Sequence, residues 1–533
     1  MGESMNFLGT PQYITVACGN QYKQFEYSET VQFNDVTLTA VNSGKGLEVK
    51  VCAAVTPVDY IRLRWNRVLP EDAQFAGDAW ERSYGDFGFG SMNANRMMPW
   101  YFVMHSNNYT LGCGVMVRGG ALAQWSADPQ GITLWLDVRA GTQGVHLNGR
   151  ILQAAVVVSE RLENVSVFAA SQSLCKLMCH DPLLPAEPVY GGNNWYYAYG
   201  NISHESVLED SREIASLSEG LPVRPFMVID DGWEVMHGKP ENSGPWDRCN
   251  ERFSDMKRLA DEMKNIGVRP GIWFRPLWNE DPSIPEEWLL ANKGNNPARY
   301  LDPSHPEVIA LVQKDVRRLV DWGYELIKHD FTTFDIFGNW GKSFIPWPAQ
   351  EEWAFYDNSR SSAEIIVDLY RAILEAAGDT LILGCNTIGH LGAGLMHLSR
   401  IGDDTSGLRW DRTRKMGVNT LAFRLCQHKT FFDVDADCVG ISRHVPADLN
   451  MQWAELLAKS STAFFAAITP GLMTAEERAT MRTFFEMASC QNIKAEPLDM
   501  LYNTTPEKWS FDGKERKFNW YEPAGATMDF LPV

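Results

Sequence analysis

Several chemistries are missing from this chain. The 10 cysteines are scattered from Cys18 to Cys490 with no Cys-x-x-Cys pair. That pattern predicts reduced, mostly buried thiols in a cytoplasmic protein, not a disulfide or zinc framework. The 11 histidines show no His-Glu-x-x-His spacing, the usual helical site of a catalytic zinc. No glycine-rich phosphate loop occurs, and few basic groups are placed to hold phosphates, so phosphoryl transfer fits poorly. No apolar run reaches membrane-spanning length. Positive charge is in deficit: the formal net charge is -19, which argues against nucleic acid or an anionic membrane as a partner. The opening Met1-Gly2-Glu3-Ser4-Met5-Asn6 has no basic and apolar leader pattern, the alternative being a leader already removed.

What is present is an ordinary globular composition, 45% hydrophobic and 22% charged, with no signature of disorder. A chain of 533 residues is too long for one core and predicts two or three domains. Up to about residue 185 the pattern is that of an antiparallel β-sandwich. Short alternating or apolar runs such as Tyr13 to Ala17, Leu47 to Val51 and Gly131 to Val138 are separated by Gly, Asn, Asp and Pro. Within this part Gly77 to Asp86 is a long polar and aromatic loop, expected to reach toward the next domain. Three prolines between Asp181 and Pro188 then make a stiff joint.

After Pro188 the rhythm becomes strand, loop, helix, repeated. Strands are expected at Val189–Gly192, Pro225–Asp230, Pro270–Phe274, Glu325–Lys328, Leu381–Cys385, Leu398–Ile401, Thr430–Val434 and Ala463–Ile468. Helical spacing over Arg252 to Ile266 closes on Gly267, and Pro306 to Trp322 and Ser361 to Ala377 repeat the form. The reading is α/β: a (β/α)8 TIM barrel over 186–475, preceded by the sandwich at 1–185 and followed at 476–533 by a short helix/β extension. A doubly wound open sheet is the alternative.

In such a barrel chemistry belongs at the carboxyl ends of the strands. Tyr324 to Asp330 sets the pattern: an apolar Leu326-Ile327 runs into Lys328-His329-Asp330 and an aromatic, threonine-rich loop. Lys328 and Asp330 stand two apart and so share one side of a strand. A lysine beside a carboxylate keeps it ionised, as a nucleophile requires; a salt-bridged strand end is the plainer reading. The other strand ends supply Trp195, Asp230-Asp231-Gly232-Trp233, Cys385-Asn386, and Arg400 followed by Asp403-Asp404. Carboxylates, an arginine, a lysine and flat rings at one mouth are the equipment of glycosidic bond cleavage. Asp230 and Asp231 suit adjacent sugar hydroxyls, with a helix or turn cap as the alternative. Asp433, Asp435 and Asp437 imitate the start of a calcium loop, but no glycine follows and position twelve is His444.

From about 189 to 470 these motifs resemble the α-galactosidases of glycoside hydrolase clan D, nearest to family 36. The resemblance implies Asp330 as nucleophile and Asp404 as general acid/base, the arginine-to-acid spacing favouring Asp404 over its neighbour Asp403. It implies Asp230 and Asp231 on the 4- and 6-hydroxyls of galactose, and Lys328 on the 3- and 4-hydroxyls. Asn386 and Arg400 would lie near the 2-hydroxyl beside Cys385, with Trp195, Trp233 and Trp273 as walls. A raised pKa at the acid/base is expected from burial and the nearby negative Asp330. The implied partner is a galactoside, with no cofactor and no metal, and the sequence is compatible with a homo-oligomer. Rival readings are a transglycosylase of the raffinose-synthase kind, an α-N-acetylgalactosaminidase or β-L-arabinopyranosidase, and a sugar-binding protein on a degenerate barrel.

Overall fold

The computed structural model describes residues 6–238, 242–290, 299–350, 352–490, 492–523 and 525. The first five residues, on which most of the leader expectation rests, and the last of the tail lie outside them.

From Tyr13 to Glu163 the chain builds two antiparallel sheets, one of six strands and one of eight. Side chains alternate as a sandwich requires. In Gly46–Ala53, the residues Leu47, Val49, Val51 and Ala53 are buried and the ones between are less so, and Tyr60–Asn66 repeats the pattern. A helix, Val167–Met178, is started by the Ser166 side chain accepting from Ala169 N, and it packs on the sandwich strand Tyr109–Val115. The proline joint that follows is largely exposed.

The second part is a closed barrel of parallel strands, hydrogen-bonded in chain order with the last returning to the first. Its strands are Tyr190–Asn193, Phe226–Ile229, Arg269–Phe274, Leu326–His329, Leu381–Gly384, Leu398–Arg400, Asp433–Ile441 and Ala463–Ile468. Residues between Phe226 and Ile229 and between Leu326 and His329 are buried on both faces, as strands covered by helices must be. The surrounding helices begin and end where their sequences direct. Met256–Ile266 starts at Asp255, whose side chain accepts from Arg258 N, and stops at Gly267 with φ 115°. Ser362–Ala377 opens with a reciprocal cap between Ser361 and Glu364. Ala475–Ala488, capped in the same way by Thr474 and Glu477, packs against His204–Leu217 and the first and last barrel strands, closing the ring. A three-stranded antiparallel sheet follows between Ala495 and Lys517.

Strand seven departs from expectation. Thr430–Val434 was the expected span, but the strand begins at Asp433 and runs to Ile441. Asp433 and Asp435 keep the period of a strand, and the register shifts at a bulge between Asp435 and Cys438, where Asp437 has φ 75°. Asp437 is buried and ion-paired to Arg400 at 2.7 Å, which removes it as a cation ligand.

Candidate active site

A cavity of about 350 Å³ opens at the carboxyl end of the barrel, and nine of its lining residues carry charge. Its floor is built from strands one to four. Asn193, at the end of strand one, donates through Nδ2 to Asp230 Oδ2 at 2.6 Å, and Asn194 accepts from Asp230 N at 3.0 Å. Lys328 Nζ donates to the same Asp230 oxygen at 2.7 Å. Burial opposes the charge on Lys328, but Asp230 outweighs it and the ammonium is held protonated. Lys328 and Asp330 both line the cavity, as their spacing predicts. His329 between them is fully buried, and burial lowers it to about 4, so it is neutral.

Asp330 is fixed from three directions. Trp273 Nε1 donates to Oδ2 at 3.1 Å, while Phe331 N and Asn386 N donate to Oδ1 at 2.7 and 3.0 Å. Phe331 takes a left-handed backbone, φ 60°, which a bulky residue seldom adopts. Burial pushes the Asp330 carboxyl up, yet Arg82, Lys328 and the Trp273 bond overcome it and hold the group below the usual carboxylate range.

Asp404 behaves against expectation. Burial pushes it up, but Arg400, Arg82 and Lys328 bring it down to about 2. Arg400 Nη2 stands 2.8 Å from Asp404 Oδ1, and Arg82 Nη1 stands 3.8 Å from it. The predicted rise omitted these cations. Asp403 also lines the cavity but is clamped between Arg82 at 2.9 Å and Arg412 at 2.7 Å.

Asp231 also lines the cavity, and it and Glu234 converge on His237 Nδ1 at 3.1 and 3.2 Å. Burial raises Asp231, while His237 is pushed up to about 9 by its bonds to the two carboxylates. Ligand atoms of this trio lie within 4.8 Å of one another, a spacing that could hold a metal ion. Here the imidazole proton already joins the two carboxylates.

Four expected residues sit elsewhere. Asn386 is fully buried and committed: Oδ1 accepts from Phe334 N at 2.9 Å, and Nδ2 donates to Glu81. Arg400, which is 2% exposed, is spent on Asp404 and Asp437, and Cys385 packs behind it with Sγ 3.7 Å from Nη1. Trp233 is buried between Trp246 and Trp322 and donates to Trp273 O, so it backs the wall instead of forming it. Trp195 and Trp273 do line the cavity.

The sequence reading missed Arg82, Tyr84, Trp340, Lys342, Arg412 and Asn242. Arg82 and Tyr84 come from the sandwich, on the loop expected to reach across. Ser83 N donates to Ile401 O at 2.9 Å and Asp403 N donates to Ser83 O at 2.7 Å, so two backbone bonds stitch the loop to the end of strand six. Glu81, buried beneath, accepts from Gly341 N at 2.7 Å and positions Trp340 and Lys342. The Arg82 guanidinium lies 4.8 Å from the Trp340 ring centroid.

The fold, an antiparallel sandwich joined to a closed parallel barrel, is shared with solved α-galactosidases, among them members of family 36. TtGalA, an α-galactosidase from Thermus thermophilus solved with p-nitrophenyl α-D-galactopyranoside, superposes with a TM-score of 0.63 at 17% identity, over 92% of this chain and 99% of that one. The GH36 α-galactosidase AgaA from Geobacillus stearothermophilus, solved with raffinose, gives a TM-score of 0.63 at 14% identity, over 94% and 79%. Among curated proteins, a probable α-galactosidase B from Talaromyces emersonii is 25% identical over 144 residues. That match spans 27% of this chain and 27% of the relative. No protein-family model matches the chain. Among the described residues, no helix is long and apolar enough to cross a membrane.

Proposed function

We propose that the protein is a retaining glycosidase that releases terminal α-D-galactosyl residues, with Asp330 as nucleophile and Asp404 as general acid/base. The observation that carries the reading is the contrast between two carboxylates in one cavity. Asp330 is immobilised and held ionised by donors on both oxygens, as a nucleophile needs. Asp404 is held by side chains alone and is 38% exposed, so it can exchange protons with water and with a leaving group. In the first step Asp330 attacks the anomeric carbon while Asp404 protonates the departing oxygen, leaving a glycosyl ester on Asp330. In the second, Asp404 takes a proton from water, which breaks the ester and releases the sugar with net retention. Asp230, Asp231 and Lys328 supply acceptors and a donor for adjacent ring hydroxyls. Asn386 and Arg400 carry no hydroxyl in this proposal, because their side chains are committed elsewhere. The structures solved with a nitrophenyl galactoside and with raffinose share the fold, which supports galactose as the sugar.

A panel of nitrophenyl glycosides tests the substrate, with the α-D-galactopyranoside expected to be cleaved fastest. Asp330→Ala should lose several orders of magnitude on every substrate, and added azide should restore turnover with inverted product. Asp404→Ala should keep its first step on the nitrophenyl galactoside, show a burst and a low apparent KM, and fail on an unactivated disaccharide. Equal losses on both substrates with neither burst nor rescue would sink the assignment.

A further inference from the structure

The charged groups that line the cavity differ in exposure. Asp230, Asp231, Arg82, Lys328 and Asp330 are buried, whereas Asp403, Asp404, Arg412 and Lys342 are not. Arg82 and Arg412 both spend their charge on Asp403. Lys342 is exposed, and among the described residues it has no carboxylate within ion-pair distance; its Nζ stands 5.6 Å from the Tyr84 ring centroid. Such a lysine contributes no pair to the fold, yet the Gly341 N bond to Glu81 fixes its backbone at the cavity's edge.

We infer that Lys342, with the Tyr84 and Trp340 rings beside it, forms a cradle for an oxyanion carried by the leaving group, and that Lys342 is the residue that reads it. The inference rests on the glycosidase reading above, since a leaving group exists only if a glycosidic bond is cut at Asp330. The chain as a whole carries a formal net charge of -19. An unpaired cation at the cavity's edge offsets that charge locally where an anionic aglycone would enter. Tyr84 and Trp340 offer rings against which the body of such an aglycone stacks, and Lys342 supplies the point charge for its carboxylate, sulfate or phosphate.

The test compares kcat/KM for 4-carboxyphenyl, 4-sulfophenyl and 4-carbamoylphenyl α-D-galactopyranosides in the wild-type protein and in Lys342→Met and Lys342→Glu. Differences in leaving-group acidity cancel when each anionic-to-carbamoyl ratio is compared between proteins. That ratio should fall about fivefold in Lys342→Met, the worth of a partly exposed ion pair. It should fall further in Lys342→Glu, and the wild-type preference should shrink with added salt. A larger loss for the sulfonate than for the carboxylate would identify a tetrahedral oxyanion, and the reverse a planar one. Release of all three aglycones with the ratios unchanged in both variants would overturn the cradle and leave the galactosidase reading standing. Release of none would overturn the galactosidase reading, and the cradle with it.

Discussion

At the scale of single residues, the determining quantity is the charge around Asp404. Arg400, Arg82 and Lys328 favour its ionised form and hold it at about 2, whereas a general acid must carry its proton into the first step. The alkaline limb of kcat/KM reports the free enzyme's acid, so for an unactivated galactoside it should lie well below neutral pH. Arg82→Gln removes one of the opposing cations and should move that limb upward by about one pH unit. A nitrophenyl galactoside, whose leaving group needs little protonation, should show no such movement. His237 titrates on the other side of neutrality. Its folded pKa is raised from 6.5 to about 9, so its contribution to stability is complete below 6.5 and is lost as pH rises through about 9. Thermal melts of wild type and His237→Gln should therefore diverge at pH 6 and converge above pH 9.

Elements differ in how plainly the sequence announces them. The helices were legible because their signals are local chemistry, Gly267, Ser361 with Glu364 and Thr474 with Glu477, although the first, expected from Arg252, starts only after its cap Asp255. Most barrel strands were legible as short apolar runs, and Ala463–Ile468 matches its expected span at both ends. Strand seven was misplaced because Asp433 and Asp435 break the apolar run and a bulge between Asp435 and Cys438 breaks the period of two. The candidate site divides along the same line. Lys328 and Asp330 follow from spacing within one strand. The commitment of Asn386 to Glu81 joins residues 305 apart in sequence, and no local pattern encodes it. Trp233 was mistaken for a wall because sequence shows where a ring is attached but not which side of the sheet it meets. One strand-level prediction tests the barrel's closure. Gly191, in strand one, has φ 148°, and a Cβ there would fall inside the carbonyl oxygen of Phe226 on the neighbouring strand. Gly191→Ala should cost about 2–4 kcal/mol, measurable as a lower midpoint in chemical denaturation.

Across the whole molecule, sandwich and barrel share one site. Asp78 of the sandwich pairs with Arg424 of the barrel at 2.7 Å, Arg150 pairs with Glu364 at 2.7 Å, and Arg82 completes the cavity. The covalent joint between them is, by contrast, exposed and makes little structure of its own. Continuity of the chain at that joint should therefore be dispensable once the two parts have met. A protease site introduced between Ala186 and Glu187 should, after cleavage, give two fragments that elute together and retain turnover. Either fragment produced alone should be inert, the larger for want of Arg82 over its carboxylates, and mixing the two should restore activity as a two-piece enzyme assembled without a peptide bond between its halves.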